Sequence, residues 1–226
     1  MNIRTLLSLL MCSLFLFACN DDAEDPDAAE YNDWKNRNET YFLERYRQAR
    51  TAIREAQATY GTDWEAHTPW RLLRTYAQSP LPEAPGTAAD TIVVCIEQTA
   101  EDPSGLCPLY GDSVRISYMG RLIPTTKYPE GRLFDHTSGH TDADLVFGKD
   151  TAVPAKLAVS NSIDGFTTAL LYMHPGDRWV VTIPWQLAYG ESSFGQAVVY
   201  PAYSCLQFTM QLHAIYRKGT SVPDWK

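Results

Sequence analysis

From about residue 90 onward, hydrophobic side chains alternate with polar ones in several short segments. A period of two is typical of β-strands, and it places Val114, Ile116 and Tyr118 on one strand face. A different segment, DGFTTALLYM (164–173), suits a single short helix. Antiparallel strands with one helix across them predict an α+β domain with an apolar concavity at one end of the sheet. The segments predicted as strands are TIVVCI (91–96), DSVRISYMG (112–120), RLFD (132–135), LAV (157–159), RWVVTI (178–183) and SCLQFTMQLHAIY (204–216).

Residues 31–60 have a helical period instead. Their apolar side chains fall alternately four and three positions apart, which places them on one helix face. We expect this face to pack against the chain's own body rather than to form a dimer seam. Gly61 supplies a stop signal, and Asp63 permits the helix to restart in the next segment. The residues of the apolar face are Phe42, Tyr46, Ala49, Ile53, Ala56 and Tyr60.

The first residues have the form of an export signal. Arg4 precedes an apolar segment, residues 6–17, which is too short to span a bilayer. The segment ends in LFAC (16–19), which resembles the lipobox of bacterial lipoproteins and predicts lipidation at Cys19. An ordinary secretory signal is the alternative. We expect a lipid-anchored protein of the bacterial cell envelope, located at the outer membrane. The sequence does not decide between the periplasmic and the external face of that membrane.

Charge and composition limit the classes of partner. The formal net charge of −8 argues against nucleic acid, whose phosphates would be repelled. Hydrophobic residues make up 45% of the chain, which is enough for a substantial core. His136, His140, Asp142 and Asp144 lie close together in the sequence, but their polar surroundings favour a solvated loop over a metal site.

The cysteines allow a disulfide, because an exported chain meets oxidising conditions. Cys95 and Cys107 flank a polar loop that contains a Pro-Ser-Gly turn. A bridge between them would contribute about 3 kcal/mol by restricting the unfolded chain. We predict this disulfide, with Cys205 as a buried free thiol; three unpaired cysteines are the alternative.

The stretch WQLAYGESSFG (185–195) places Tyr189 between a small residue and a glycine, where a loop containing Ser and Gly begins. A tyrosine at such a position either closes the end of a strand or holds its phenol at the rim of a pocket. The predicted concavity favours the pocket rim.

Several motifs in order and at matching spacing resemble one known family. They are GDSVRISYMGRL, LFD, PAKLAVSNSIDGFTTALLYMHPGDRWVVTIPWQLAYG and YPAYSCLQFTMQL. Together they resemble the FKBP-type peptidyl-prolyl cis-trans isomerases, particularly the exported bacterial branch that includes the macrophage infectivity potentiators. The resemblance implies a curved antiparallel β-sheet wrapped around one short helix, preceded here by a helical N-terminal extension. The predicted layout is a signal peptide (1–18), an acidic tether (19–30), the helical extension (31–78), a linker (79–87), the isomerase domain (88–217) and a C-terminal tail (218–226).

The resemblance also implies a substrate pocket. Asp135 would lie near the substrate amide, the Ile163 backbone N–H would donate to a substrate carbonyl, and the Tyr189 hydroxyl would donate at the rim. Aromatic side chains would form the wall, floor and back of the pocket. Those aromatic residues are Tyr118, Phe134, Phe166 and Phe208, with Ser162 beside Ile163 and with Val199 and Tyr200 on an overhanging loop.

The implied activity is isomerisation of X–Pro bonds in proline-containing polypeptides, which requires no nucleophile, metal or cofactor. Phe166 stands where the family usually has tryptophan, and Ser162 stands where it usually has valine. These changes predict weakened affinity for macrolide-type ligands. They also favour the alternative function, a catalytically weak chaperone or binding module of the same fold. The oligomeric state stays open.

Overall fold

The computed structural model describes residues 27–77, 87–102, 105–137, 153–196 and 198–225. The signal peptide, Cys19, linker residues 79–86 and three members of the polar insertion (His140, Asp142, Asp144) lie outside the described residues. The α-helices of the described part are α1 (Trp34–Tyr60) and α2 (Asp164–Leu170). Its strands are β1 (Trp70–Arg74), β2 (Thr91–Gln98), β3 (Ser113–Arg121), β4 (Leu133–His136), β5 (Ala155–Ala158), β6 (Arg178–Ile183) and β7 (Leu206–Tyr216).

The strands form one antiparallel sheet in the order β1-β2-β6-β7-β3-β4, and β5 also pairs with β3. Both helices contact β2, whose residues Ile92, Val93 and Val94 are buried. Because consecutive strand residues point to opposite faces, the sheet is covered on both sides at this point. The predicted α+β fold, an antiparallel sheet with one short helix and a helical N-terminal extension, is confirmed.

Helix α1 packs on the sheet with its predicted apolar face. Phe42, Ala49 and Ala56 are buried, whereas Tyr60 at the last turn is exposed. The expectation that this face packs against the chain's own body is therefore confirmed. The helix ends at Gly61, which has a positive φ of 57° that suits a residue without a side chain.

The predicted helix restart after Asp63 is wrong. A 3-10 helix covers Gly61–His67, and Trp70–Arg74 then form strand β1, which pairs with β2 from Trp70↔Cys95 to Arg74↔Thr91. Pro69 accounts for the break, since proline pushes the residue before it into an extended conformation. Thr68 has φ −147° and ψ 139°, which are extended values.

Residues Asp33–Lys226 form one compact unit. Of the other unit, Met1–Asn32, the structure describes a short 3-10 helix, Ala28–Tyr31, in which the Glu30 N–H donates to the Asp27 carbonyl over 2.9 Å. None of the helices in the described ranges combines the length and the apolar character that a membrane crossing requires.

The predicted disulfide between Cys95 and Cys107 is not formed, and both thiols are free. Cys95 is fixed within β2 between Trp70 of β1 and Val180 of β6. The Cys107 Sγ instead lies 3.3 Å from His174 Nε2. Closeness in sequence does not decide which way two side chains point, and here each thiol has its own surroundings. Cys205 is buried and free, as predicted.

A buried carboxylate connects the start of β3 to the end of β7. Asp112 accepts hydrogen bonds from the Leu109 N–H (2.8 Å), from the Lys218 N–H (3.1 Å) and from the Arg217 guanidinium. Burial opposes ionisation of Asp112, but these hydrogen bonds and the charge of Arg217 outweigh it and hold the pKa of the carboxyl below its usual value.

A second buried polar side chain joins α1 to the segment before β7. Asn38 is 0% exposed; its Nδ2 donates to the Trp34 carbonyl (2.6 Å), and its Oδ1 accepts the Cys205 N–H (2.8 Å). We expect Asn38→Ala to lower the free energy of unfolding by about 1–3 kcal/mol, because it leaves the Cys205 N–H buried without a partner. Denaturant unfolding measures this value.

Asn36→Ala is the matched control for that substitution. Asn36 lies on the exposed side of the same helix, where its side chain bonds to Asp33 (2.6 Å), and its loss should change stability by less than about 0.5 kcal/mol. Equal losses in the two variants would contradict the role given to Asn38.

The Asp112 carboxylate predicts a pH dependence of stability. Its pKa is depressed in the folded state, so its stabilising contribution is present above the unfolded pKa of about 3.9 and is lost as the pH falls through the folded pKa. We expect the free energy of unfolding of Asp112→Asn to be about 1–3 kcal/mol lower than that of wild type near neutral pH. This gap in the free energy of unfolding should narrow below about pH 4.

Thermal unfolding of the Asp112→Asn variant and wild type across this pH range measures the gap. Glu101→Gln, at an exposed position, is the control and should stay within about 0.5 kcal/mol of wild type at neutral pH. A gap between Asp112→Asn and wild type that stays constant down to about pH 2 would refute this role of the ionised carboxylate.

Candidate active site

A cavity of about 160 Å³ opens at one end of the sheet, between β3, β4, β7 and the start of α2. Its wall is aromatic on several sides, with one carboxylate and a few small polar groups at its edges. The lining residues are Tyr118, Asp135, Leu157, Asn161, Ser162, Ile163, Phe166, Tyr189 and Phe208.

The floor is a cluster of rings packed edge to face. Phe208 lies 5.1 Å from Phe166 and 6.2 Å from Tyr118, measured between ring centroids, and Tyr118 lies 5.5 Å from Phe166. Edge-to-face packing of this kind suits the electrostatics of aromatic rings. The result is a rigid apolar base for the cavity.

Helix α2 brings the floor and the polar edge together. Phe166 lies in its first turn and is buried, and Ile163 is the extended residue just before it (φ −61°, ψ 152°). The helix can approach β6 closely because Gly165 has no Cβ; one would lie 2.3 Å from Ile183. Within the described part of the chain, no hydrogen bond engages the Ile163 N–H. This donor is therefore available at the cavity edge.

Asp135 links the two tyrosines of the cavity electrostatically. The Tyr118 hydroxyl donates to Asp135 Oδ2 over 3.0 Å. Burial raises the pKa of the Tyr118 phenol, and the charge of Asp135 and this hydrogen bond raise it further. Burial followed by the charge of Asp135 likewise raises the pKa of Tyr189. Both phenols thus keep their protons, and Tyr189 remains able to donate, over the whole neutral range.

The rim of the cavity is built around Tyr189. Its ring stacks on Phe194, with centroids 4.2 Å apart and planes 8° from parallel, while 43% of its surface stays exposed. Gly190 follows with a positive φ of 64°, and its carbonyl accepts the Tyr203 N–H over 2.9 Å. These contacts fix the Tyr189 turn from both sides.

The structure brings most of the predicted site residues to one cavity. Phe134 packs behind the lining, 5.5 Å from Phe208 and 5.9 Å from Tyr200. Tyr200 is buried against it, and Val199 is 61% exposed; neither belongs to the described lining. The predicted residues that do line the cavity are Tyr118, Asp135, Ser162, Ile163, Phe166, Tyr189 and Phe208.

Three site residues were missed by the sequence analysis. Leu157 and Asn161 line the cavity, and Phe194 supports Tyr189. An aromatic residue five positions after Tyr189, at the far end of the same loop, is the local signal that could have suggested Phe194. Leu157 carries no such signal, because its placement depends on the pairing of β5 with β3. Asn161 lies in the turn after that strand, where its N–H donates to the Ala158 carbonyl over 2.9 Å.

Among the described residues, no three His, Cys, Asp or Glu side chains are arranged so that they could hold a metal ion. His136 is the one described member of the insertion considered above.

Comparisons with known proteins find sequence similarity to one family. The sequence profile of the family described as FKBP-type peptidyl-prolyl cis-trans isomerase matches residues 107–213. The chain is 33% identical over 108 residues to the FKBP-type 22 kDa peptidyl-prolyl cis-trans isomerase of Escherichia coli, a match that covers 48% of this chain and 43% of that protein. It is 35% identical over 92 residues to the outer membrane protein MIP of Legionella longbeachae, covering 41% of this chain and 32% of that protein.

Among solved structures, the peptidyl-prolyl cis-trans isomerase of Pseudomonas syringae is similar at a TM-score of 0.45 and 24% identity, over 76% of this chain and 96% of that chain. The chain spans less than half the length of the two curated relatives. The match to the family profile nevertheless covers the strands and the helix that line the cavity. Residues 107–213 therefore form a domain of the FKBP-type peptidyl-prolyl cis-trans isomerase family.

Proposed function

We propose that the chain is a peptidyl-prolyl cis-trans isomerase that accelerates rotation about X–Pro bonds in exported polypeptides. The observation that supports this function is the cavity, which combines an apolar aromatic floor with two hydrogen-bond donors at its edges. The floor is formed by Phe166, Phe208 and Tyr118, and the donors are the Ile163 N–H and the Tyr189 hydroxyl.

The chemistry needs a surface that prefers a twisted amide to a planar one. Rotation about a peptide bond meets a barrier of about 18–20 kcal/mol, because resonance gives the C–N bond double-bond character. The planar amide is strongly dipolar, and the twisted transition state has lost much of that charge separation. An apolar floor therefore stabilises the twisted form relative to the planar one, which is the differential binding that lowers a barrier.

The two donors would hold the peptide while the prolyl ring turns on the aromatic floor. The Ile163 N–H would bind one carbonyl of the substrate, and the Tyr189 hydroxyl would bind another at the rim. Tyr189 is suited to this task because its raised pKa keeps the phenol protonated. Fixing the two flanking carbonyls restricts motion to the X–Pro bond, which is a positioning effect.

A second function, a weakly catalytic chaperone or binding module, is favoured by two residues of the lining. Phe166 is a smaller floor than the tryptophan usual in the family, and Ser162 places a hydroxyl where a valine is usual. Both changes would weaken the binding of proline-containing peptides and of macrolide-type ligands. This function differs from the first in one measurable respect: the peptide would bind in the cavity without any acceleration of isomerisation.

We also propose that Cys19 carries a lipid anchor and that the protein lies at the outer membrane. The LFAC motif supports the anchor, and the similarity to the outer membrane protein MIP of Legionella longbeachae supports the location. Labelled fatty acid supplied to bacteria that express the full chain should appear on the wild-type protein and be absent from Cys19→Ala. Equal labelling of both would refute the anchor.

The hydroxyl of Tyr189 provides the direct test of catalysis. We expect Tyr189→Phe to lower kcat/KM for a peptide with one X–Pro bond by up to about tenfold, since one hydrogen bond contributes about 1 kcal/mol. Exchange spectroscopy on the peptide measures the rate without a helper protease.

Tyr172→Phe is the matched control for the activity measurement. Tyr172 is an exposed tyrosine outside the cavity lining, and loss of its hydroxyl should leave kcat/KM unchanged. Unchanged activity in Tyr189→Phe, or an equal fall in Tyr172→Phe, would exclude the role assigned to the rim hydroxyl.

A further inference from the structure

Away from the cavity, the imidazole of one histidine lies in space between a cysteine thiol and an aspartate carboxylate. The Cys107 Sγ is 3.3 Å from His174 Nε2, and His174 Nδ1 is 3.5 Å from Asp177 Oδ2. A nucleophile next to a base, with the base in turn next to an orienting acid, is the arrangement by which proteins activate a weak nucleophile. None of the three residues lines the cavity described above.

The carboxylate of this group is held rigidly. Asp177 is buried; its Oδ1 accepts the Ala100 N–H (2.7 Å), and its Oδ2 accepts the His174 backbone N–H (2.7 Å). The Asp177 N–H donates back to the His174 carbonyl (2.9 Å), which closes the turn. Gly176 within the turn has φ 105°, a value that strongly favours glycine.

The position of the Asp177 carboxylate favours the His174 tautomer that can accept a proton from Cys107. A proton on Nδ1 is favoured by the facing Asp177, and this leaves the lone pair of Nε2 directed at the Cys107 sulfur. The thiol can then donate its proton to Nε2. Since 22% of the His174 side chain is exposed and Cys107 is only half-buried, the group lies near the protein surface.

We propose that Cys107 is a thiol–disulfide exchange site for small-molecule disulfides, with His174 as its base and Asp177 as the group that orients His174. The thiol proton moves to His174 Nε2 while the Cys107 Sγ attacks one sulfur of the disulfide. A new S–S bond forms at Sγ, the S–S bond of the small molecule breaks, and its other half leaves as a thiolate that takes up the proton. The product is a mixed disulfide at Cys107.

Cys95 provides an internal comparison, because its electrostatic surroundings are similar. Burial raises the pKa of both thiols; a carboxylate raises it further in each case, and an arginine lowers it. The carboxylate and arginine are Asp177 and Arg217 at Cys107, and they are Glu97 and Arg45 at Cys95. Both thiols are thus protonated near neutral pH, and the imidazole contact is the feature that Cys107 adds.

The test uses the full chain and the aromatic disulfide dithiobis(nitrobenzoate) near neutral pH, with the modified cysteines quantified by peptide mass spectrometry. We expect Cys107 to form the mixed disulfide at least about tenfold faster than Cys95, because a positioned base contributes at least that factor. In His174→Asn, the rate of mixed-disulfide formation at Cys107 should fall by about the same factor, while the rate at Cys95 stays unchanged.

Two further residues control the experiment. Cys205 is fully buried, so its reaction would report unfolding of a variant. His213→Asn alters another half-buried imidazole, which lies 2.9 Å from the Ser117 hydroxyl, and should leave the Cys107 rate unchanged.

The proposal is overturned if wild-type Cys107 reacts no faster than Cys95. It is also overturned if Cys107 keeps its rate in His174→Asn while Cys205 stays unreactive, since exposure alone would then explain the reaction. The first comparison uses the wild-type protein, so the proposal can be overturned even if the His174 variant fails to fold.

Discussion

One glycine in β3 determines how the aromatic rings of the site can pack. A Cβ on Gly120 would lie 2.6 Å from Phe208 Cε1 and 2.7 Å from Phe134 Cζ, too close for any other residue without displacement of the rings. The β3–β7 register places Phe208 opposite Gly120, and the β3–β4 pairing of Gly120 with Asp135 brings the neighbouring Phe134 to the same glycine. Phe208 then meets Phe166 and Tyr118 edge to face, so the floor of the cavity depends on this approach.

The N-terminal helix contributes to the same site from the other direction. Asn38 of α1 accepts the Cys205 N–H, and two residues earlier the Tyr203 N–H donates to the Gly190 carbonyl. Gly190 directly follows Tyr189, whose hydroxyl is proposed to bind substrate. Two hydrogen bonds, joined by the backbone of residues 203–205, thus connect the helix to the cavity rim. The helix and the sheet belong to one compact unit, and removal of α1 would disturb the rim as well as the core.

Much of this architecture could be predicted from the sequence, because β3 and β7 carry a period of two, β2 and β6 are short apolar runs rich in β-branched residues, and the family motifs follow in order. Strand β1 could not, since Trp70–Arg74 lack that alternation and form a strand by pairing with β2; Pro69 was the local signal against a helix. The disulfide failed because sequence spacing does not tell which way Cys95 and Cys107 point. Phe194 was missed because its role arises from stacking across a loop.

The central claim is that an aromatic cavity lowers the barrier to rotation about X–Pro bonds. The most direct test combines exchange spectroscopy on a single-proline peptide with amide shifts of the labelled wild-type protein, present at a small fraction of the peptide concentration. Unaided isomerisation takes tens to hundreds of seconds. We expect exchange clearly faster than this unaided rate, together with saturable shifts at Ser162 and Ile163. Saturable shifts without faster exchange would contradict catalysis and leave a binding module, and faster exchange without shifts at these residues would contradict the assigned site.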